Sequence, residues 1–157
     1  MRRAKLSTQS AIIASLYVVL TFISNAMGLA SGAIQVRLSE ALTILPFFTP
    51  AAIPGLFVGC LISNILGGGI IWDVIFGSLA TLIGALGTYT MRKNKWFAPV
   101  SPIAANALIV PFVLIYAYGV KEALPYLMFT VGIGEIVSAG ILGMALLKSL
   151  ERHKEIF

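Results

Sequence analysis

The sequence predicts an all-α integral membrane protein: one domain, residues 1–157, folded as a bundle of six transmembrane helices with both termini cytoplasmic. Three observations predict it. Hydrophobic residues make up 59% of the chain and charged residues only 11%, whereas soluble domains average roughly half apolar and a quarter charged. Uncharged apolar runs recur along the chain, most of them near the roughly 20 residues that a helix needs to cross a bilayer core. The basic residues stand in short clusters beside those runs, at Arg2, Arg3 and Lys5, at Arg92, Lys93 and Lys95, and at Lys148, Arg152 and Lys154. The net charge of +5 therefore reads as membrane topology. No continuous basic face is present to bind nucleic acid.

The first span runs from about Ser10 to Leu29. Its early turns carry Ser7, Ala11 and Ser15 at every fourth position, with Ser10 and Ala14 beside them. Such small-residue stripes let another helix or a partner protein approach closely. Basic residues before an apolar run also open signal peptides, but this run exceeds the roughly 7 to 15 residues of a signal's apolar region and lacks a cleavage site. Gly28 to Gly32 reads as a loop, and Leu38 to Leu45 begins a short second span. Pro46 and Pro50 disfavour helix at the residues before them, which sets a corner at Phe47, Phe48 and Thr49. The third span, Ala51 to Leu66, carries Gly55, Gly59 and Ser63 at four-residue spacing and ends at a triple glycine. The fourth runs from Ile70 to Met91 with Ala80, Gly84 and Thr88 in a similar stripe, the fifth from Ala98 to Tyr118, and the sixth from Ala123 to Leu147.

Orientation follows from the loops, because short loops rich in Lys and Arg stay in the cytoplasm. With the N-terminus inside, all three basic clusters collect on the cytoplasmic face and only Arg37 and Lys121 remain outside.

Ionisable residues inside spans are costly and usually face a bundle interior or a water-filled cavity, which singles out Glu40, Asp73 and Glu135. On this topology Glu40 and Asp73 fall in the first turns of inward-running helices, near the outer surface. Glu135 follows Ala123 by twelve residues, which is roughly 18 Å of helix and near the middle of the bilayer. Arg37 and Glu40 stand three apart, so in a helix they share a face and either pair or jointly meet a polar guest. Asn64, Trp72 and Tyr116 share the outer level with the shallow acids and complete a cup, although aromatic residues also mark membrane interfaces without binding anything. Asn106, deep in the fifth span, has fewer structural explanations.

Enzyme chemistry finds no footing. The chain has no HExxH, no GxSxG and no phosphate-cradling GxxxxGK[ST], and its only histidine, His153, lies in the C-terminal tail. These motifs supply the metal, nucleophile or phosphate nest that hydrolytic chemistry requires. The single cysteine, Cys60, excludes an internal disulfide. No cofactor and no metal is expected, and energy for uphill transport must come from an ion gradient or a separate ATPase.

The run QVRLSEALTILPFFTPAAIPGLFVGCLISNILGGG, continuing through WDVIFGSLATLIGALGTY, resembles the QueT family of queuosine-precursor transporters, the substrate-binding S components of energy-coupling factor (ECF) transporters. The resemblance is specific over Arg37 to Gly59 and Asp73 to Thr81. It implies a six-helix substrate-binding subunit of the cell membrane that captures a 7-deazaguanine, such as queuine or its aminomethyl precursor, at the outer face. It further implies a shared transmembrane coupling subunit driven by two ATPase subunits. Related S components dock through an AxxxA stripe on the first helix; here Ser7, Ala11 and Ser15 differ in residue type and keep the small size. On this footing Arg37, Glu40, Asn64, Trp72, Asp73, Asn106, Tyr116 and Glu135 are the expected substrate-binding residues. A deazaguanine's N1–H and exocyclic amine suit Glu40 or Glu135, its keto oxygen suits Asn64, Asn106 or Arg37, its ring suits Trp72 or Tyr116, and a cationic aminomethyl group suits Asp73. The rival expectation is a proton-coupled transporter of small solutes that acts alone through Glu135.

Overall fold

The computed structural model describes residues 2–30 and 34–153. Lys154 of the basic tail, the Arg2 side chain and residues 31–33 of the first loop lie outside the described residues. Every element among those described is helical: α1 (Arg2–Ala26), a 3-10 segment (Leu38–Phe47), α2 (Ala52–Leu66), α3 (Ile71–Thr90), α4 (Val100–Tyr116) and α5 (Leu124–Glu151). Among them, α1, α3, α4 with its preceding turn, and α5 are long and apolar enough to cross a membrane, while the 3-10 segment and α2 are shorter. The six expected segments are therefore all helical, four of them long enough to cross a membrane, with one correction. The second is a 3-10 segment, not an α-helical span.

A 3-10 run of ten residues is long for a geometry that seldom exceeds three or four. Its surroundings explain it. Ser39, Glu40 and Leu42 through Pro46 are all buried, and side chains from neighbouring helices bond its N-terminal backbone. The Ser24 hydroxyl accepts from Leu38 N at 2.8 Å and the Ser138 hydroxyl accepts from Arg37 N at 3.1 Å, while within the segment the Thr43 hydroxyl donates to the Glu40 carbonyl at 2.6 Å. Irregular backbone at membrane depth persists only when its polar groups are satisfied in this way.

Small residues let the helices close around this segment. A Cβ added to Gly55 would stand 2.8 Å from the Ser10 carbonyl oxygen, and one on Gly59 would stand 2.8 Å from Tyr17 Cβ, so α1 and α2 meet backbone to backbone. Gly84 packs as tightly against α4, where an added Cβ would stand 2.8 Å from Pro102 Cα. Gly143 of α5 faces the 3-10 segment, where an added Cβ would stand 3.1 Å from Ile44 Cγ2, and Gly134 lies directly against the Gln35 carbonyl oxygen. Within α5, Ile136–Leu142 widens into a π-helical stretch immediately after Glu135.

The helices alternate in direction. Ser10 donates to the Ala51 carbonyl at 2.8 Å and Lys95 pairs with Glu151 at 3.0 Å, so both ends of the described chain and the turns at 48–51 and 91–99 share one end of the bundle. Arg92 lies over the Tyr89 ring at 4.2 Å and Lys148 over Trp96 at 5.6 Å in the same basic belt. Residues 27–30 and 34–37 and the loops at 67–70 and 117–123 gather at the opposite end.

Candidate functional site

Between the loop end and the buried 3-10 segment lies a cavity of about 330 Å3, at the small end of the ~300 to 1,000 Å3 typical of small-molecule sites. Arg37, Glu40, Asp73, Asn106 and Glu135 all line it, together with apolar wall residues such as Val110, Leu114 and Leu127.

Glu40 is deeper than its sequence position suggests. After α1 the chain doubles back: Val36 N donates to the Leu29 carbonyl at 2.8 Å, Leu38 N to Ser24, and the Thr21 hydroxyl to the Ser39 hydroxyl at 2.9 Å. The next contact is Tyr17, whose hydroxyl donates to Glu40 Oε1. These contacts descend α1 towards its middle, and nine residues of helix separate Tyr17 from Ala26, roughly 13 Å. The expectation of a shallow Glu40 is thereby corrected. It is 2% exposed and also accepts from Asn106 Nδ2 at 3.4 Å. Glu135 faces the same space from α5, with its Oε2 buried and without a hydrogen-bond partner among the described residues.

Asp73 is at the mouth, in the first turn of α3. Its Oδ2 accepts from the Tyr118 hydroxyl at 2.8 Å, and the same hydroxyl accepts from Ile70 N at 3.4 Å. Partial burial, and then the bond to the Asp73 carboxylate, raise the Tyr118 phenol above its ordinary value, so it stays a donor at neutral pH.

Three expected residues do not line the cavity. Asn64 sits behind it, donating to the Asp73 carbonyl at 3.4 Å and lying 3.7 Å from Cys60 Sγ. Trp72 and Tyr116 line a separate apolar groove of about 420 Å3 on the outer face of α3 and α4, where Trp72 stacks on Phe76 and Tyr116 on Phe112. Helical rotation is the reason. One residue turns the direction by about 100°, so with Asp73 facing inward Trp72 faces away, and Tyr116 is two residues round from the inward Leu114. The aromatic ring that does line the cavity is Tyr126.

Sequence reasoning also missed Tyr17, Gln35 and Glu122. A lone tyrosine inside an apolar run gave no signal, but Leu127, Thr130, Val131 and Glu135 recur at i, i+3, i+4 and i+8 and mark the inner face of α5. Four of the chain's six acidic residues, Glu40, Asp73, Glu122 and Glu135, line the cavity with one guanidinium, that of Arg37. A basic protein has thus concentrated its acids around one hollow. Among the described residues no group of three or more His, Cys, Asp or Glu side chains is placed to hold a metal ion.

The sequence profile of the family described as QueT transporter matches residues 7–152. The chain belongs to the QueT transporter family. The queuosine precursor transporter QueT of Lactococcus lactis subsp. cremoris (strain MG1363) is 43% identical over 74 residues, a stretch that covers 46% of this chain and 43% of that relative. The match thus spans less than half of the relative's length. No solved structure matches the chain. Because the QueT profile extends from α1 through the end of α5, the cavity and every residue lining it fall inside the family region.

Proposed function

We propose that this protein is the membrane substrate-capture subunit for uptake of queuosine precursors, 7-deazaguanines such as queuine or its aminomethyl precursor. It works with an ECF-type transmembrane coupling subunit and two ATPase subunits. The observation that carries this reading is the acid-lined cavity enclosed within the helical bundle of a QueT-family chain. A deazaguanine presents adjacent N–H donors and a keto acceptor on one edge, and carboxylates beside a guanidinium are complementary to that edge. The surplus of acids further favours the aminomethyl precursor, whose cation Asp73 or Glu122 would meet at the mouth. In this reading the basic end is cytoplasmic, as the Lys and Arg distribution favours, and the cavity opens outward.

The coupling surface is proposed on α1. Ser7, Ala11 and Ser15 are exposed, and the two serine hydroxyls fold back onto the Arg3 and Ala11 carbonyls, which leaves a smooth stripe. Ser10 and Ala14, the other small residues of these turns, are turned towards α2. Ala11→Leu is therefore expected to abolish cellular uptake and co-purification with the coupling subunit while melting temperature and ligand affinity hold. A destabilised variant that still co-purifies would sink the docking assignment.

Substrate is tested first by calorimetry of the purified protein with queuine and with its aminomethyl precursor, alongside mass spectrometry of whatever co-purifies. Tight binding without transport by the lone chain in liposomes is expected. The competing reading, a carrier that uses Glu135 as a proton relay, predicts uptake by the lone chain that collapses with the proton gradient. No heat with any deazaguanine, beside clear binding of an unrelated vitamin, would overturn the substrate assignment.

A further inference from the structure

Resting on the reading above, we infer that the two deep carboxylates have different tasks: Glu135, with Arg37, reads the ligand's ring edge, and Glu40 is a positioning residue locked in place by Tyr17 and Asn106. The difference lies in how their oxygens are used. Each Glu40 oxygen already has a donor, Oε1 from Tyr17 on α1 and Oε2 from Asn106 on α4 at 3.4 Å. Turning Glu40 towards a guest would strip a bond from a tyrosine that is itself 1% exposed, and an unmade buried bond is costly. Glu135 Oε2 is buried with no partner among the described residues. Buried polar atoms are nearly always satisfied, so an orphan facing a cavity asks for the group that would satisfy it.

Backbone geometry supports the same division. Glu135 stands where α5 widens into its π-helical stretch, the kind of local distortion that recurs at functional sites. Arg37 is fixed by its main chain, whose N–H donates to Ser138 within that stretch at 3.1 Å. Its guanidinium lines the cavity and has no hydrogen bond or ion pair among the described residues. The cavity therefore offers one free acceptor and one free donor fork. A guanine-type edge has the matching order: exocyclic amine and N1–H towards the carboxylate, keto oxygen towards the guanidinium.

The test compares 7-deazaguanine with 7-deazahypoxanthine, which lacks only the exocyclic amine, on wild type, Glu135→Gln, Glu40→Gln and Tyr17→Phe. Wild type should prefer 7-deazaguanine by about tenfold or more, the scale of a charge-assisted hydrogen bond. Glu135→Gln should lose most of that preference while its ligand-free melting temperature does not fall, because the oxygen that is replaced has no partner among the described residues. Glu40→Gln and Tyr17→Phe should melt lower and keep the preference in whatever affinity remains. A Glu135→Gln protein that melts lower, or that discriminates like wild type, overturns the assignment, as does loss of discrimination in Tyr17→Phe alone. If wild type binds neither compound, the deazaguanine reading itself is what fails.

Discussion

The two ends of the bundle are built from the same helices and by opposite rules. At the basic end, α1, α2 and the 3-10 segment close on one another without space: Tyr17, Ile44, Leu56 and Leu147 are at most 1% exposed, and glycines let main chains touch. At the loop end the same elements part around a polar cavity, and the backbone departures nearest its floor, the extended residues 35–37, the 3-10 segment and the π-helical stretch, border it or pack against one another. Lipid supplies little hydrophobic force between helices, so fold stability in a membrane rests on close packing of small residues. Irregular backbone with polar atoms is tolerated only beside a cavity or deep in protein. The comparison teaches that the packed end holds the fold and releases the other end to bind.

The largest effect should come from breaking the packed end. In Gly59→Leu the new side chain must begin 2.8 Å from Tyr17 Cβ and 2.9 Å from the Ala14 carbonyl oxygen. Neither atom can yield without separating α1 from α2, so the cost is expected at or above the top of the ~1 to 3 kcal/mol range for overpacking. Thermal unfolding in detergent checks it. Because Tyr17 also holds Glu40, ligand affinity should fall with stability; a variant with wild-type melting would mean that the contact is looser than described.

Gly134→Ala separates the two ends more cleanly. Its Cβ would collide with the Gln35 carbonyl oxygen and lie 3.1 Å from the Gln35 carbonyl carbon, pushing away the strip that carries Arg37 and Glu40. Alanine also favours helix over glycine by about 1 kcal/mol, which offsets part of the damage to the fold. Affinity is expected to weaken by about 1 to 3 kcal/mol with a smaller change in melting temperature. Calorimetry and unfolding on one preparation decide, and equal losses in both would tie site and fold together.

Those glycines also mark how far the sequence could be read. Apolar runs, charge clusters and small-residue stripes made the bundle and its six helical segments legible, and the Gly55 and Gly59 stripe does meet α1. Arg37, Glu40, Asp73, Asn106 and Glu135 were legible as candidates because charge or amide groups in apolar runs have few other uses, and one cavity gathers all five. Depth was not legible. It depends on the chain doubling back along α1 through Val36, Leu38 and Ser39, contacts between residues distant in sequence. Trp72 and Tyr116 were drawn to the site by residue type, although their rotation from Asp73 and Leu114 already pointed them outward. The Gly134, Ser138 and Gly143 edge of α5 went unread because its partner is extended and 3-10 backbone, for which no helical period exists.

The smallest effect should come from the mouth, where the loop end meets solvent. Tyr118 ties the 117–123 loop, which brings Val120 and Glu122 to the cavity, to the first turn of α3 through Asp73 Oδ2 at 2.8 Å. Tyr118 is 43% exposed, so water replaces much of what the bond supplies, and Tyr118→Phe should cost about 0.5 kcal/mol of stability, the low end for a hydrogen bond. Its kinetic signature should be clearer: ligand leaves faster and enters at nearly the same rate, because a loosened rim shortens the bound state without altering the floor. The tether has a defined pH window. The phenol's value is raised by partial burial and by Asp73, so the folded protein holds the proton more tightly than the unfolded chain does. Its contribution is complete below the ordinary tyrosine value of about 10 and is lost as pH rises through the raised one. Stopped-flow dissociation between pH 6 and pH 9 should therefore show a constant difference between wild type and Tyr118→Phe. A difference that vanished within that range would mean that the Tyr118 hydroxyl is not what holds the rim.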